Sequence, residues 1–215
     1  MSIAIGITTT PDRHHIFWEN LKKWQDLLPK NAYIYYVYNK QKIPVSVNKN
    51  KVLSMCAYAD HIFMVDDDIY PITEDWWKPY TESPLNHACW NYDRNVIRTT
   101  VRAFKSGKGD VELVSYDELE TPNGCMLYFK KAAIDKVGGW DTSFKGYGYE
   151  HVNLSDRIFN CGLTPARYID IPNSKGLFEL SDCESSFNST DRVHIPTNYE
   201  LYQQKFYSKE FKPFK

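Results

Sequence analysis

Two features that would place a protein in a membrane or on nucleic acid are missing from this chain of 215 residues. No stretch approaches the roughly 18 consecutive apolar residues of a transmembrane helix. The amino-terminal segment also lacks the basic start and long apolar run of a secretory leader. Lysine and arginine total 26 against 27 aspartates and glutamates, so bulk charge does not favour a nucleic-acid partner. We therefore expect a soluble, cytoplasmic protein without a membrane span.

The cysteines lack the number and the spacing of a disulfide framework or a zinc site. Their number, five, is odd, and no two of them form a C-x-x-C motif. We interpret them as reduced thiols: Cys56, Cys89, Cys125, Cys161 and Cys183. Aromatic residues are plentiful instead, at 15%, with 16 tyrosines and 6 tryptophans. They predict either a large aromatic core or a surface on which flat ligands such as sugars and bases stack.

Strand and helix signals alternate along the first third of the chain. β-branched and aromatic runs predict strands over 3–8, 32–38 and 61–65, while apolar residues at helical spacing predict a helix over 17–28, and a second helix is expected over 49–59. This order indicates a parallel sheet with right-handed crossovers. The later part is less regular, with short strands predicted over 87–92, 111–114, 125–129 and 166–171, and helices over 131–137 and 151–160. The tail from 196 onward is predicted to pack as a surface segment.

Three consecutive aspartates follow the apolar strand that ends at Val65. In such sheets ligands bind beyond the carboxyl ends of the strands. Crowded carboxylates repel one another unless a cation compensates, and in an extended chain Asp66 and Asp68 point to the same side, where a divalent cation and a substrate phosphate could meet. An EF-hand is excluded because Pro71 stands where the loop needs glycine. The remaining alternative is a solvated acidic turn.

The sequence resembles the GT-A fold glycosyltransferases that use nucleotide sugars, in particular the inverting family-2 type, over about residues 3–195. Three segments carry the resemblance: 63–68 (FMVDDD) is similar to the strand-end Asp-x-Asp motif, 138–157 (GGWDTSFKGYGYEHVNLSDR) to the Gly-Gly-aromatic-Asp and Gly-x-Glu-Asp motifs, and 8–13 (TTTPDR) to the loop around the nucleotide base. The resemblance implies a single α/β domain of GT-A type over 1–215, with a mixed, mostly parallel sheet flanked by helices. The nucleotide half would be about 1–100, the acceptor half about 101–195, and the tail 196–215.

The resemblance also implies roles for individual residues. Asp66 and Asp68 would bind Mn²⁺ or Mg²⁺, and His194 would complete that site. The donor would contact residues from both halves of the chain: Thr8, Thr9, Asp12, Arg13, Asn39, Asn50, Asp66, Asp67, Gly139 and Trp140. Trp140 could equally cap the core. The sequence departs from the family's pattern at Asn39 and at His151, where the family usually has aspartate, so the nucleotide identity and the catalytic base, Glu150 or His151, stay open.

The function that follows is an inverting, metal-dependent transfer of a sugar, with a UDP-sugar as the expected donor. The acceptor would be a hydroxyl of a glycan, of a protein-linked glycan or of another molecule, and a lone domain of this kind resembles glycosyltransferase modules of large viruses. Modified DNA is a minority alternative that rests on a basic patch: Arg98, Arg102, Lys105 and Lys108. A non-catalytic carbohydrate-binding module would not need the aspartates, and a nucleotidyltransferase would show a glycine-rich loop where 8–11 has none.

Overall fold

The computed structural model describes residues 1–40, 43–90, 92, 96–106, 109–182 and 190–214, with backbone only at 190 and 191. The strands are β1 (Ile3–Thr9), β2 (Ala32–Tyr38), β3 (His61–Asp66), β4 (Ile69–Pro71), β5 (His87–Cys89), β6 (Val96–Phe104), β7 (Glu112–Leu119), β8 (Met126–Lys130), β9 (Ile169–Asp170) and β10 (Phe178–Leu180). The helices are α1 (His14–Asp26), α2 (Val45–Cys56), α3 (Lys78–Glu82), α4 (Lys131–Val137), α5 (Glu150–Asn160) and α6 (Ile195–Lys205). Short 3₁₀ turns cover Pro11–Arg13, Ser174–Leu177 and Thr190–His194. No helix in the described ranges combines the length and the apolar character needed to cross a membrane.

The main sheet has five strands in the order β2-β1-β3-β8-β5. The first three are parallel, and β8 and β5 are added in antiparallel fashion. The predicted alternation of strand and helix is therefore confirmed, and the sheet is mixed as expected. Because β1 and β3 are parallel neighbours with Thr8 opposite Asp66, the loops that follow these two strands leave the same edge of the sheet together.

Each face of the main sheet is covered by helices that pack on alternate residues of its strands. On β1, Ile3, Ile5 and Ile7 belong to the apolar core that includes α1, while Ala4 faces the core built with α2, α4 and α5. Gly6 lies on the α2 side, where an added Cβ would come within 2.6 Å of side-chain atoms of Met64 and Val52. The missing side chain thus lets α2 approach the strand closely.

The second half of the chain differs from the prediction in three places. A three-stranded antiparallel sheet, β6-β7-β9, contains a nine-residue strand that was not predicted, because almost all residues of β6 are exposed and no burial alternation marks it. The predicted strand over 166–171 is reduced to the two residues of β9. The tail contains the helix α6, which was not predicted, and in this helix Asn198 is buried at 2% exposure.

The last residues of the chain pack against the loop that follows α4. Gly138 has a positive φ of 74° and pairs with Lys212 in an isolated β-bridge. Arg157, fully buried on α5, donates hydrogen bonds to the carbonyls of Val137 (2.6 Å), Gly139 and Glu210 (3.4 Å). These contacts satisfy carbonyls at the end of α4 that a helix leaves unpaired.

Substitution of Gly138 by alanine should destabilise the fold more than the same change at Gly162. Both glycines have positive φ values near 73°, and the ψ of −154° at Gly138 places it in a region that essentially only glycine adopts, so alanine is strained at both positions. Only at Gly138 would the new Cβ collide with backbone atoms of Lys212, whereas nothing lies within 4 Å at Gly162. Urea denaturation of Gly138→Ala and Gly162→Ala measures both free energies of unfolding. An equal loss in the two variants would show that the tail contact contributes nothing.

Candidate active site

A cleft opens at the edge of the main sheet where β1 and β3 end and α5 begins. Two adjoining cavities form it, and they share five lining residues: Lys49, Asp66, Asp68, Tyr147 and Glu150. The first cavity is completed by residues at the end of β1, after β2, after β3 and in α2: Thr8, Thr9, Thr10, Arg13, Asn39, Val45, Asn48 and Asp67. The second is completed by Tyr92, Asn123, Gly124, Cys125, His151, Leu180 and Asp182. Asp66, Asp68 and Glu150 therefore line the same cleft.

The three consecutive aspartates have different surroundings. Asp67 is enclosed, accepting a hydrogen bond of 2.5 Å from the Thr9 hydroxyl and another of 2.7 Å from Arg13 Nε. Asp68 accepts a hydrogen bond of 2.9 Å from Arg13 Nη2 through Oδ2. This contact does not involve its other carboxylate oxygen. The side chain of Asp66 is 40% exposed, and its ion-pair partner, Lys49 Nζ, lies 3.7 Å away. Asp67 thus anchors Arg13, while Asp66 and Asp68 face the cleft.

The cleft carries more negative than positive charge. Burial and the charge of Asp66 raise the pKa of Asp68 to about 7, although Arg13 acts in the opposite direction. Arg13 is shared further with Asp182, whose carboxylate lies 3.3 Å from Nη1. A carboxylate whose pKa stays high beside an arginine lacks sufficient cationic compensation.

The donor set fits a hard divalent cation. Asp66 and Asp68 supply carboxylate oxygens that face the same cavities, and Mg²⁺ is typically bound by one or two carboxylates, water and substrate phosphates. No cluster of three or more histidine, cysteine, aspartate or glutamate side chains suited to a metal occurs within the described parts of the chain. The half-buried His194, which ends the 3₁₀ turn before α6, is not among the residues that line either cavity. Its role as a third ligand stays a prediction.

Glu150 begins α5 in a strained backbone context. The preceding Tyr149 has a positive φ of 68°, which is rare for a residue with a bulky side chain. Gly148 N donates a hydrogen bond of 3.0 Å to Glu150 Oε2, and Asn198 of α6 donates one of 3.0 Å to the carbonyl of Gly148. The strained turn is thus fixed from both sides, as is common where a side chain must be held for function.

The carboxylate of Glu150 is fully buried and yet ionised. Burial alone would raise its pKa, but the hydrogen bond and charge of His151 and the ammonium of Lys49 outweigh burial and lower that pKa to about 2. The position at the first turn of α5 also favours a negative charge. An ionised carboxylate therefore faces both cavities at neutral pH.

His151 has acceptors on both ring nitrogens. Nδ1 lies 3.4 Å from Glu150 Oε1, and Nε2 lies 3.2 Å from the carbonyl of Pro122. An ionised carboxylate and a backbone carbonyl can only accept hydrogen bonds, so both ring nitrogens face acceptor atoms of the protein. The ring is packed against Gly124, where an added Cβ would approach it to 2.8 Å. Both ring nitrogens of His151 therefore face the protein and not a ligand.

Most of the predicted nucleotide contacts line the first cavity, but Asp12 does not. Thr8, Thr9, Arg13 and Asn39 line the first cavity. The side chain of Asn39 is already used locally, since its amide accepts from Ile43 N (3.0 Å) and donates to the carbonyl of the same residue (2.9 Å). Asp12 is exposed in the 3₁₀ turn after β1, and it is not one of the described residues that line the two cavities.

Three further residues that were predicted to contact the donor, Asn50, Gly139 and Trp140, pack against one another beneath the cleft. Trp140 is 1% exposed and lies in the apolar core. Its backbone N–H donates to Asn50 Oδ1 at 2.8 Å, and Asn50 Nδ2 donates to its carbonyl at 2.9 Å. A Cβ on Gly139 would collide with the same Asn50 amide, so this glycine allows the loop to approach α2. Of the two roles weighed for Trp140, these contacts support the core role.

Sequence reasoning missed two residues that line both cavities, Lys49 and Tyr147. A signal existed for Lys49, because Val45, Lys49, Val52 and Cys56 are spaced as one face of a helix, and Val52 and Cys56 are fully buried. A lysine in such a stripe is a charged residue placed where an apolar one is expected. Tyr147 carries no comparable signal.

The basic patch proposed for nucleic acid is interrupted by an acidic partner. Arg98 on β6 forms an ion pair of 2.7 Å with Glu118 on β7. Arg102 donates a hydrogen bond of 3.2 Å to the carbonyl of Pro165. Lys108 lies outside the described residues. The two arginines are therefore already engaged within the protein.

Comparison with known proteins agrees with the fold and with the sequence resemblance. Residues 114–178 match a family model described as the N-terminal domain of galactosyltransferase. No curated protein matches the chain at the sequence level. The matched segment includes most of β7 and all of β8, α4 and α5, and thus the turn that carries Glu150.

Several solved structures share the architecture. The catalytic domain of Drosophila β1,4-galactosyltransferase 7 in complex with xylobiose has a TM-score of 0.59 and 13% identity, covering 95% of this chain and 80% of that one. A mutant of the same enzyme in complex with manganese, UDP-Gal and xylobiose has a TM-score of 0.57 and 14% identity, covering 87% and 74%. GalNAc-T7 with UDP, GalNAc and Mn²⁺ has a TM-score of 0.61 and 8% identity, covering 96% and 50%. The chain has the GT-A fold, and the comparisons support a glycosyltransferase.

Replacement of Glu150 by glutamine should flatten the acid dependence of stability. The folded-state pKa of Glu150 lies below the value of about 4.3 expected in the unfolded chain. Glu150 therefore stabilises the fold above that unfolded pKa, and this contribution is lost as the pH falls toward 2. Between about pH 5 and pH 3, the free energy of unfolding of the wild type should fall more than that of Glu150→Gln. The exposed Glu200 provides the control variant Glu200→Gln, which should follow the wild type.

Proposed function

We propose that the protein transfers a sugar from a UDP-sugar to a hydroxyl acceptor with inversion at the anomeric carbon, using a divalent cation. One observation carries the proposal: Asp66 and Asp68 face the same cleft as the buried, ionised Glu150. A binding module for carbohydrate would have no use for this concentration of buried negative charge, which costs stability unless a cation is bound.

The donor would occupy the first cavity. Its diphosphate would lie beside Asp66 and Asp68, which would hold Mn²⁺ or Mg²⁺, and such a cation would neutralise the negative charge of the departing diphosphate. The nucleoside would extend toward Thr8, Thr9 and Asn39. Structural neighbours bound to UDP or UDP-Gal support uridine as the base, and Asn39 can still donate to and accept from a uracil ring if its local hydrogen bonds rearrange.

The acceptor would enter through the second cavity. In a single displacement, its hydroxyl oxygen forms a bond to the anomeric carbon while the bond from that carbon to the diphosphate oxygen breaks and its electron pair leaves with the diphosphate. The hydroxyl proton passes to Glu150, which lines both cavities. His151 would hold Glu150 in place, since its ring donates toward Oε1 at 3.4 Å and is fixed by the carbonyl of Pro122.

The acceptor class is a saccharide or glycan, including one linked to protein. Polar and aromatic groups surround the second cavity, among them Tyr92, Asn123 and Tyr147, a combination that suits sugar rings. A structural neighbour in complex with the disaccharide xylobiose supports this class. Modified DNA has less support, because Arg98 and Arg102 are engaged within the protein.

Nucleotide and metal should bind cooperatively, and Asp68 should be required for the coupling. Calorimetry should show that Mn²⁺ strengthens UDP binding about tenfold or more in the wild type, because a phosphate oxygen completes the shell of the cation. This increase in UDP affinity should be absent in Asp68→Asn, and it should be lost in the wild type when a chelator removes the metal. Asp135→Asn on the surface of α4 is the matched control. Equal UDP affinity with and without metal would contradict the metal assignment, and tighter binding of GDP than UDP would contradict the donor class.

The pH dependence of kcat/KM should identify the base. If Glu150 accepts the proton, the wild type should stay active well below the range of about pH 6–7 in which imidazole groups titrate. The assay uses saturating Mn²⁺, because a bound cation keeps Asp68 ionised and its protonation then does not limit the rate at low pH. Glu150→Gln should then lose about a hundredfold or more in kcat, while His151→Ala should retain measurable activity.

The variant His151→Asp separates the two candidates further, because it restores the residue that the resemblance leads one to expect. If His151 were the base, its acid limb would lie near neutral pH in the wild type and move to lower pH in His151→Asp. That movement, together with an inactive His151→Ala, would overturn the assignment to Glu150.

A further inference from the structure

Lys49 is a buried cation without a hydrogen-bond acceptor. Its side chain is 8% exposed, and Nζ lies 3.7 Å from Asp66 Oδ1 and 3.9 Å from Glu150 Oε1. Charge-assisted bonds between an ammonium and a carboxylate normally measure about 2.7–2.9 Å. Within the described residues, no acceptor lies within bonding distance of Nζ, so its three donors are directed at space rather than at protein.

The position of Lys49 makes this arrangement informative. Lys49 lines both cavities, and its Nζ lies 5.8 Å from the centre of the Trp140 ring, which closes the floor beneath it. Its ammonium makes no hydrogen bond to the described residues, so its donors are available to a ligand that enters the cleft. The group is therefore placed for an anionic ligand that would reach it between Asp66 and Glu150.

The charges around the cleft identify that ligand. Arg13 is held by Asp67, Asp68 and Asp182. Lys49 also lines both cavities, and its ammonium makes no hydrogen bond to any residue that the structure describes. An anion that enters the first cavity beside Asp66 is the diphosphate of the donor, if the proposed function holds.

We propose that Lys49 donates a hydrogen bond to the diphosphate of the bound nucleotide and stabilises the charge that this group gains as it leaves. The inference rests on the proposed function and adds a residue to it. When the bond between the anomeric carbon and the diphosphate oxygen breaks, the electron pair stays on that oxygen. A fixed ammonium at hydrogen-bond distance stabilises the developing charge without losing water at that moment. The nucleoside itself gains nothing from Lys49.

The test compares ligands that differ only in phosphate. Calorimetry on the full chain would measure the affinities of UDP and uridine for the wild type, Lys49→Met and Lys49→Arg, in Mn²⁺ and again in chelator. Lys49→Met should lose about ten- to a hundredfold in UDP affinity under both conditions, with uridine unchanged. Lys49→Arg should retain most of the preference for UDP over uridine. The control Lys51→Met removes an exposed lysine of the same helix and should behave as the wild type.

Activity provides the second comparison. Lys49→Met should lower kcat about a hundredfold, more than it changes the KM for acceptor, because the contact strengthens as the leaving group departs. A merely structural lysine would instead weaken uridine and UDP binding in parallel and lower the midpoint of thermal unfolding. That parallel loss, or an unchanged UDP affinity in Lys49→Met, overturns the inference while leaving the proposed function intact.

A measurement on the wild type covers the case in which Lys49→Met does not fold. In protein with ¹³C-labelled lysines, the Lys49 Cε resonance, assigned with the charge-preserving Lys49→Arg, should shift on addition of UDP and stay in place with uridine. A Lys49 resonance that UDP leaves unmoved while the nucleotide binds would refute the contact. If no nucleoside diphosphate binds the wild type at all, the proposed function fails, and the inference fails with it.

Discussion

The guanidinium of Arg13 lies among carboxylates that would otherwise repel one another where β3 ends. It binds Asp67 at 2.7 Å, Asp68 at 2.9 Å and Asp182 at 3.3 Å. Through these contacts it joins the turn after β1, the turn after β3 and the segment that follows β10. The arginine compensates only part of the negative charge, because Asp66 and Glu150 are not among its partners and form ion pairs with Lys49 instead. A cleft built in this way keeps an excess of negative charge and therefore attracts a further cation.

Local signals in the sequence were sufficient where burial is regular. The runs 32–38 and 61–65 became β2 and β3 almost residue for residue, since β-branched and aromatic residues favour strands and β3 is buried on both faces. The helix predicted over 131–137 has those bounds in the structure. The predicted site follows from the same regularity, because parallel neighbours deliver Thr8 and Asp66 to one edge of the sheet.

Features that depend on distant contacts could not be predicted in the same way. β6 is nearly all exposed and has no alternation to detect. α6 carries Asn198, whose amide donates to the carbonyls of Lys145, Tyr147 and Gly148 and thereby fixes the turn before Glu150, and nothing local distinguishes that asparagine from a surface one. Likewise, whether His151 has a free nitrogen depends on the carbonyl of Pro122, 29 residues earlier in the chain.

Lys49 shows how the demands of folding and of binding differ at one position. The stripe formed by Val45, Val52 and Cys56 would be completed by an apolar side chain, and buried charges replaced by apolar groups of similar size often leave a fold as stable or more so. The lysine instead keeps its ammonium 3.7 Å from Asp66 and 3.9 Å from Glu150, too far to bond either. Closer contact would engage two of its three donors with the protein and leave one for a ligand. The spacing therefore favours a group poised for an incoming anion over an internal ion pair.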